Sequence, residues 1–112
     1  MYGSTERPLT FGLDFDDTVT KNIPLFKDIV GIILSHGVDI YIVTAREQDY
    51  WCDKLRKFSN DTGVKVIFTG CKAKQDIAEI DIWIDDFPLA ITHDFKETGW
   101  SPSDSTKQYI KD

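Results

Sequence analysis

The sequence predicts an α/β fold in which helices cover both faces of a parallel sheet, as a three-layer α/β/α sandwich. Three observations support this prediction. The chain has 112 residues, the length of one small domain. Its residues are 41% hydrophobic and 12% aromatic, a composition typical of globular proteins and not of disordered chains. Short apolar runs alternate with segments of helical periodicity, which is the pattern of successive βαβ units joined by right-handed crossovers.

Four strands are predicted from the apolar runs. The second is almost entirely apolar, as expected for a strand that is covered on both faces. Pro88 prevents the fourth strand from continuing into the segment that follows it. The predicted strands are residues 9–15, 38–43, 64–68 and 80–84.

Three helices are predicted between these strands. Residues 24–35 place Phe26, Ile29, Val30, Ile33 and Leu34 at helical spacing, and Gly37 follows as a stop signal. Residues 47–61 place Trp51, Leu55 and Phe58 at positions i, i+4 and i+7, with Gly63 as the stop. Residues 74–79 have room for only a short helix.

Composition also restricts the cellular location and the binding partners that the sequence predicts. The formal net charge of −6 argues against a protein that binds nucleic acid mainly by neutralising its backbone. No apolar run is long enough to span a membrane, residues 1–8 lack a signal-peptide core, and Cys52 and Cys71 form no metal-binding or disulfide framework. We therefore expect a cytoplasmic protein with a single domain, residues 1–95, and a tail or wrapping arm, residues 96–112.

Two clusters of aspartates end predicted strands. Residues 14–18 (Asp-Phe-Asp-Asp-Thr) close the first strand, and Asp85 and Asp86 close the fourth. Because the functional crevice of a parallel sheet lies at the carboxyl ends of its strands, we expect Asp14, Asp85 and Asp86 at the same edge, where they would be neighbours if the first and fourth strands pair. Like charges about 4 Å apart repel by roughly 4 kcal/mol at an effective dielectric constant near 20, so the cluster needs a cation. Carboxylate oxygens together with water favour Mg²⁺.

Hydroxyl and basic groups are expected at the same edge. Thr44, Ala45 and Arg46 end the second strand, and a hydroxyl and a guanidinium suit phosphate oxygens. Lys72 and Lys74 both precede the fourth strand. Spacing does not decide between them, and we favour Lys74 because it begins the short helix. Carboxylates, a divalent metal, a hydroxyl and a lysine in one crevice indicate a phosphoryl-transfer site.

These segments resemble, in order, the four motifs of the haloacid dehalogenase superfamily of phosphohydrolases. Residues 14–18 match the DxDxT pattern, and Thr44 at the end of an apolar strand resembles the second motif. A lysine on the short helix resembles the third motif, and Asp85-Asp86 resembles the fourth in its form with two adjacent aspartates. The resemblance covers residues 9–88. It implies a Rossmann-like sheet of that superfamily and a Mg²⁺-dependent phosphatase.

The resemblance also implies residue roles. Asp14 would attack phosphorus to give an aspartyl-phosphate, and Asp16 would serve as general acid and then as general base. Thr44 would hold a phosphoryl oxygen, and the motif lysine would neutralise charge. Mg²⁺ would bind the Asp14 carboxylate, the main-chain carbonyl of Asp16 and the Asp85–Asp86 pair, with Asp86 as the direct ligand.

Several of these residues also have structural interpretations. We predict that Asp17 is a turn residue, and that the Thr18 hydroxyl could tie this turn by hydrogen bonds to the backbone. Arg46 could contact substrate together with Thr44, Ala45 and Lys74, or it could form a surface ion pair with a carboxylate of residues 47–49.

The spacing of the motifs leaves no room for a cap domain, since one helix and one strand fill each of the segments 19–43 and 45–73. An open site would admit a phosphorylated metabolite, a nucleotide or a nucleic-acid end, or it could be covered by a second copy of the chain. The acidic charge favours small phosphate esters. The alternatives are a non-catalytic phosphate-binding or interaction module on the same fold and, less favoured, a receiver-like signalling domain. A receiver needs a phosphate-accepting aspartate after the third strand, where this chain has Phe68-Thr69-Gly70.

Overall fold

The computed structural model describes residues 8–98. In this part of the chain four strands form one parallel sheet with the spatial order β3-β2-β1-β4. The α/β class and the parallel sheet are thus confirmed. The strands are β1 (Thr10–Leu13), β2 (Asp39–Thr44), β3 (Lys65–Phe68) and β4 (Ile82–Ile84).

Five helices accompany the sheet in the described residues. Asn22 caps the first by accepting the N–H of Leu25 at 3.1 Å, and Pro24 occupies its first turn, where its missing N–H costs nothing. Gly37 follows this helix and Gly63 ends the second, both in the left-handed conformation that glycine adopts without strain. The helices are α1 (Ile23–Ser35), α2 (Asp53–Thr62), α3 (Lys74–Ile77), α4 (Leu89–Thr92) and α5 (Phe95–Thr98), with a 3₁₀ turn at Val19–Lys21.

The main apolar core lies between the sheet and the helices α1 and α2. Trp51 and Phe68 pack against it edge to face, with ring centroids 5.2 Å apart. Of the apolar stripe predicted on α1, Val30 is buried, whereas Leu34 is 39% exposed at the end of the helix. The buried members of the core are Leu13, Phe15, Val19, Val30, Ile40, Ile42, Cys52, Leu55, Phe58 and Val64.

The start of the second helix differs from the prediction. The sequence pattern predicted a helix from residue 47, but α2 begins at Asp53. Asp49 has a φ of 60°, which a right-handed helix excludes, and the N–H of Trp51 bonds the carbonyl of Asp49 in a tight turn. Trp51 therefore reaches the core from a loop and not from a helix.

Strand pairing brings two of the aspartate-bearing strands side by side. β1 is central, and its Gly12 pairs with Tyr41 of β2 on one side and with Trp83 of β4 on the other. A Cβ at Gly12 would lie 2.9 Å from the Trp83 ring, so the close approach of these strands requires glycine. The N–H of Asp14 donates to the carbonyl of Ile84 at 2.9 Å and extends the pairing beyond the end of β1.

The segment after β4 folds back against the loop that precedes α3. Phe95 is buried, its N–H bonds the carbonyl of Cys71 at 3.0 Å, and its ring contacts Phe87 with centroids 6.0 Å apart. The predicted boundary between residues 1–95 and the tail 96–112 falls within α5, and residues 99–112 of that tail lie outside the described part. None of the helices in residues 8–98 combines the length and the apolar character that crossing a membrane requires.

Candidate active site

Three carboxylates converge at the carboxyl ends of β1 and β4. Asp14, Asp85 and Asp86 each place a carboxylate oxygen within 4.8 Å of the others. Asp14 is buried, the Asp85 side chain is 2% exposed, and Asp86 is open to solvent. The juxtaposition expected from parallel pairing is therefore present. Two carboxylates at this distance repel by about 3 kcal/mol at an effective dielectric constant near 20, so the arrangement requires positive charge.

Lys74 supplies that charge from the first residue of α3. Its Nζ donates to Oδ1 of Asp14 at 2.9 Å and to Oδ2 of Asp85, and its side chain is 2% exposed. Lys72 is 62% exposed, and its Nζ lies 3.9 Å from Asp94. Of the two lysines that the sequence left open, the structure brings Lys74 to the carboxylates and leaves Lys72 at the surface.

Burial and charge shift the proton affinities in this cluster. Burial raises the pKa of Asp14 well above its ordinary value; the Lys74 ammonium opposes this shift, and the Asp85 carboxylate adds to it. For Lys74, burial alone would lower the pKa, but the charges and hydrogen bonds of Asp14 and Asp85 outweigh it, so the pKa is raised. Lys74 is therefore held as a cation, whereas Asp14 ionises reluctantly until more positive charge is present.

Thr18 connects the two aspartate motifs. Its Oγ1 lies 3.0 Å from Oδ2 of Asp14 and 3.1 Å from Oδ1 of Asp86, and it accepts the N–H of Asp86 at 3.3 Å. A hydroxyl has one proton, so it donates to one carboxylate at a time. One alternative was that this hydroxyl ties its own turn by backbone hydrogen bonds; its partners are instead the carboxylates of Asp14 and Asp86 and the N–H of Asp86. Asp17 occupies a turn with a φ of 65°, and its N–H bonds Oγ1 of Thr20.

Arg46 has a different partner from those that the sequence offered. Its Nε donates to Oδ2 of Asp16 at 3.0 Å, and its Nη2 donates to Oδ1 at 2.7 Å. The guanidinium is buried, lies 5.8 Å from the centroid of the Phe15 ring, and donates through Nη1 to the carbonyl of Tyr50 at 3.5 Å. Burial acts to lower the pKa of Arg46, but the hydrogen bonds and charge of Asp16 raise it overall. Of the two alternatives for Arg46, the surface pair with residues 47–49 is wrong, since the guanidinium is buried and pairs with Asp16.

Hydrogen bonds join the loops that follow β2 and β3. The N–H of Thr69 donates to the carbonyl of Thr44 at 2.9 Å. The N–H of Gly70 donates to the carbonyl of Arg46 at 3.0 Å, and that of Cys71 donates to the carbonyl of Ala45 at 2.8 Å. Thr44 is buried at the end of β2, and its Oγ1 accepts the N–H of Arg46 at 3.3 Å. The main chain of Ala45 and the hydroxyl of Thr44 are thereby held at the edge of the sheet that carries the carboxylates.

Asp94 was missed by the sequence analysis. Its Oδ1 accepts the N–H of Ala73 at 2.8 Å, directly before α3, and so anchors the helix that carries Lys74. Asp94 lies 21 residues from Ala73 along the chain, and no local pattern signals this contact.

The donor set fits a hard divalent cation. Asp14, Asp85 and Asp86 offer carboxylate oxygens only, which is the chemistry that Mg²⁺ prefers, and the exposed Asp86 leaves a side open to water. Comparisons of the chain with models of known protein families, with curated proteins and with solved structures found no match. The functional conclusion therefore depends on the site itself.

Proposed function

We propose that the protein is a Mg²⁺-dependent phosphomonoesterase that acts through an aspartyl-phosphate, with a fold and mechanism like those of the haloacid dehalogenase superfamily. The environment of Asp14 is the observation that carries this proposal. This buried carboxylate accepts from Lys74 through Oδ1 and from Thr18 through Oδ2, and it lies beside two further aspartates. Such a group is oriented, partly neutralised and next to a metal-compatible cluster, which are the requirements for attack on an anionic phosphate ester.

In the proposed reaction an oxygen of Asp14 forms a bond to phosphorus while the bond from phosphorus to the ester oxygen breaks. Asp16 donates a proton to the departing alcohol and then accepts one from the water that attacks the phosphoenzyme. Inorganic phosphate leaves and the Asp14 carboxylate is regenerated. Lys74 neutralises charge on Asp14 and the phosphoryl group, and the Thr44 hydroxyl and the Ala45 N–H bind phosphoryl oxygens.

A Mg²⁺ ion held by Asp14, Asp85 and Asp86 and by the main-chain carbonyl of Asp16 would neutralise the charge that the phosphoryl oxygens bring to the site. Lys74 is already bonded to Asp14 and Asp85, so these residues would share their charge with a second cation. Asp86, the exposed member of the cluster, is the ligand that the ion can reach without displacing Lys74.

The order of the strands supports the proposed three-layer arrangement. The chain runs from β1 to β2 to β3 in one direction and then passes over to β4 on the other side of β1. With right-handed crossovers, this reversal puts α3 on the face opposite α1 and α2. The contacts between elements agree, since α1 contacts α2 and α3 contacts α4.

The proposed substrates are small phosphate esters, such as phosphorylated metabolites or nucleotides. The segments between the motifs carry short elements only, so the site is open and takes its specificity from its own rim or from a second copy of the chain. The net charge of −6 disfavours a nucleic-acid end, because the phosphate backbone would be repelled.

Phosphate release from an aryl phosphate monoester tests the proposal. We expect release that requires millimolar Mg²⁺, stops when the metal is chelated and resumes when Mg²⁺ is restored. Acid-quenched enzyme should carry one phosphoryl group on the peptide that contains Asp14. If neither aryl esters, alkyl esters nor nucleotides are hydrolysed, the proposal fails; binding of phosphate without turnover would favour the non-catalytic module.

A further inference from the structure

The ion pair between Arg46 and Asp16 has no assigned role in the proposed reaction. Both carboxylate oxygens of Asp16 accept from the guanidinium, in the two-point geometry that fixes a carboxylate in one plane. The Arg46 side chain is 0% exposed, whereas that of Asp16 is 12% exposed. The arginine is therefore more deeply buried than the aspartate with which it pairs.

Arg46 is itself held by hydrogen bonds from both its side chain and its main chain. Nη1 donates to the carbonyl of Tyr50, the main-chain N–H bonds Thr44 Oγ1, and the main-chain carbonyl accepts the N–H of Gly70. Arg46 is thus a fixed support that belongs to the loop after β2, while Asp16 lies in the turn after β1. The pair ties these two loops together at the edge of the sheet that carries Asp14.

Stability alone is a weak reason for such a pair, since a buried ion pair is often replaceable by apolar side chains at no net cost. Orientation is the stronger reason. A carboxylate has about four acceptor sites, and the guanidinium uses one on each oxygen. The remaining site on each oxygen then points in a direction set by Arg46 and not by free rotation of the side chain.

We propose that Arg46 is a positioning residue that orients the Asp16 carboxylate for proton transfer and does not itself contact the substrate. This inference rests on the proposed phosphatase function. It implies that loss of Arg46 reproduces the loss of Asp16 and not the loss of Asp14. Proton transfer by a positioned side chain contributes about 10²- to 10⁴-fold, and it matters most when the leaving alcohol is poor.

The test compares an alkyl and an aryl phosphate monoester in four variants: Arg46→Met, Arg46→Lys, Asp16→Asn and the double variant Asp16→Asn/Arg46→Met. Arg46→Met should lower kcat at least tenfold more for the alkyl ester than for the aryl ester. Arg46→Lys should show a smaller difference in the same direction, because an ammonium cannot make the two-point contact. In the Asp16→Asn background, Arg46→Met should change kcat by less than about threefold.

Arg56→Met is the matched control. Arg56 also lies 5.8 Å from an aromatic centroid, that of Trp51, but it is exposed and pairs with Asp53 at 3.8 Å. Its loss should leave the ratio of the alkyl to the aryl rate unchanged.

Equal losses on both esters in Arg46→Met, or an undiminished loss in the Asp16→Asn background, would overturn the inference while the phosphatase function stood. If Arg46→Met shows no cooperative melting transition, the ratio in Arg46→Lys decides in the same way. A wild-type protein that hydrolyses neither ester overturns both the proposed function and this inference.

Discussion

Two clusters in this molecule contain the same side-chain types in opposite proportion. In the buried cluster (Lys74, Asp14 and Asp85), one ammonium lies between two carboxylates, and the side chains are 2%, 10% and 2% exposed. In the surface cluster (Asp61, Lys27 and Lys57), one carboxylate lies between two ammonium groups, with side chains 31%, 37% and 76% exposed. The Lys74–Asp14 and Lys27–Asp61 contacts are both 2.9 Å, so distance does not distinguish these two pairs.

Burial does distinguish them. In the surface cluster, hydrogen bonds from Lys27 and Lys57 lower the pKa of Asp61, and water screens the charges. In the buried cluster, loss of hydration dominates and raises the pKa of Asp14 despite the bond to Lys74. A contact between lysine and aspartate therefore has little effect in the surface cluster, whereas in the buried cluster it leaves unfavourable electrostatic energy. A bound cation would relieve electrostatic strain of this kind.

The largest expected effect is on catalysis. Asp14→Asn keeps the shape of the side chain but removes the attacking charge, so phosphate release should fall by several orders of magnitude while the fold persists. Asp61→Asn, the matched change in the surface cluster, should alter the rate by less than about twofold. Steady-state phosphate release, with circular dichroism to check folding, measures both. Near wild-type turnover in Asp14→Asn would exclude the covalent mechanism.

The next effect is on stability. Lys74→Met leaves two carboxylates buried without their cation, and breaking a buried pair from one side costs about 3–5 kcal/mol. For a domain of this size that corresponds to a fall in melting temperature of more than about 10 °C. Lys57→Met in the surface cluster should change melting too little to resolve. Thermal melts at neutral pH without metal compare the two variants, and equal shifts would show that burial is not the deciding factor.

Mg²⁺ should stabilise the protein through the buried cluster and its neighbour Asp86. Binding at one hundred times Kd adds about 2.7 kcal/mol to the free energy of unfolding, so saturating Mg²⁺ should raise the melting temperature by several degrees. Asp86→Asn should weaken this response, and Asp86→Ala should weaken it more. Asp53→Asn removes another exposed carboxylate, on α2, and should leave the response to Mg²⁺ unchanged. A Mg²⁺ response that survives in Asp86→Ala would place the metal elsewhere.

The smallest expected effect is on the pH dependence of stability. Because the folded pKa of Asp14 is raised above its unfolded value, the folded state holds this proton more tightly than the unfolded state. The contribution of Asp14 is thus most favourable below its unfolded pKa, near 3.8, and is lost as pH rises through the raised folded value.

Asp61 has the opposite sign. Its folded pKa is lowered, so its contribution is present above the ordinary value and is lost as pH falls through the lowered one. Metal-free Asp14→Asn should therefore gain stability relative to wild type as pH rises above about 4. Asp61→Asn should lose a little stability relative to wild type as pH rises toward about 4, with no further change above it. Urea denaturation at a series of pH values, with a chelator present, gives both differences; parallel curves for Asp14→Asn and wild type would contradict the assigned shift.

Local patterns were enough to predict the four strands, α1 and the short helix α3, but not α4 and α5. Apolar runs and glycine stops located the four strands and α1, because burial of one face and the left-handed conformation of glycine are local requirements. The rule that the functional crevice of a parallel sheet lies at the carboxyl ends of its strands put Asp14, Asp85 and Asp86 at one edge. The pairing of β1 with β4, which the structure supplies, makes them neighbours. Lys74 was favoured over Lys72 for its place at the start of a helix, and the structure puts it against the carboxylates.

Local patterns failed where the chain leaves regular structure. The helical spacing of Trp51, Leu55 and Phe58 is real, but Asp49 adopts a left-handed conformation and delays α2 to Asp53. Arg46, for which a surface ion pair was one of two alternatives, is buried beside Phe15 and pairs with Asp16.

The sequence by itself thus determined which strands form, that their aspartate-bearing ends meet at one edge, and that a cation is needed there, since periodicity and like-charge repulsion are properties of the chain. Only the tertiary structure decided which polar and charged groups form hydrogen bonds with one another. Arg46 and Asp16, which form an ion pair, are 30 residues apart in the sequence. Asp94 accepts the N–H of Ala73, 21 residues away, directly before α3. Thr18 and Asp86, which are hydrogen-bonded, are 68 residues apart. Each of these contacts depends on how two loops meet above the sheet. The packing of the whole domain fixes the positions of these loops, because no short segment of the chain contains both partners of any of these contacts.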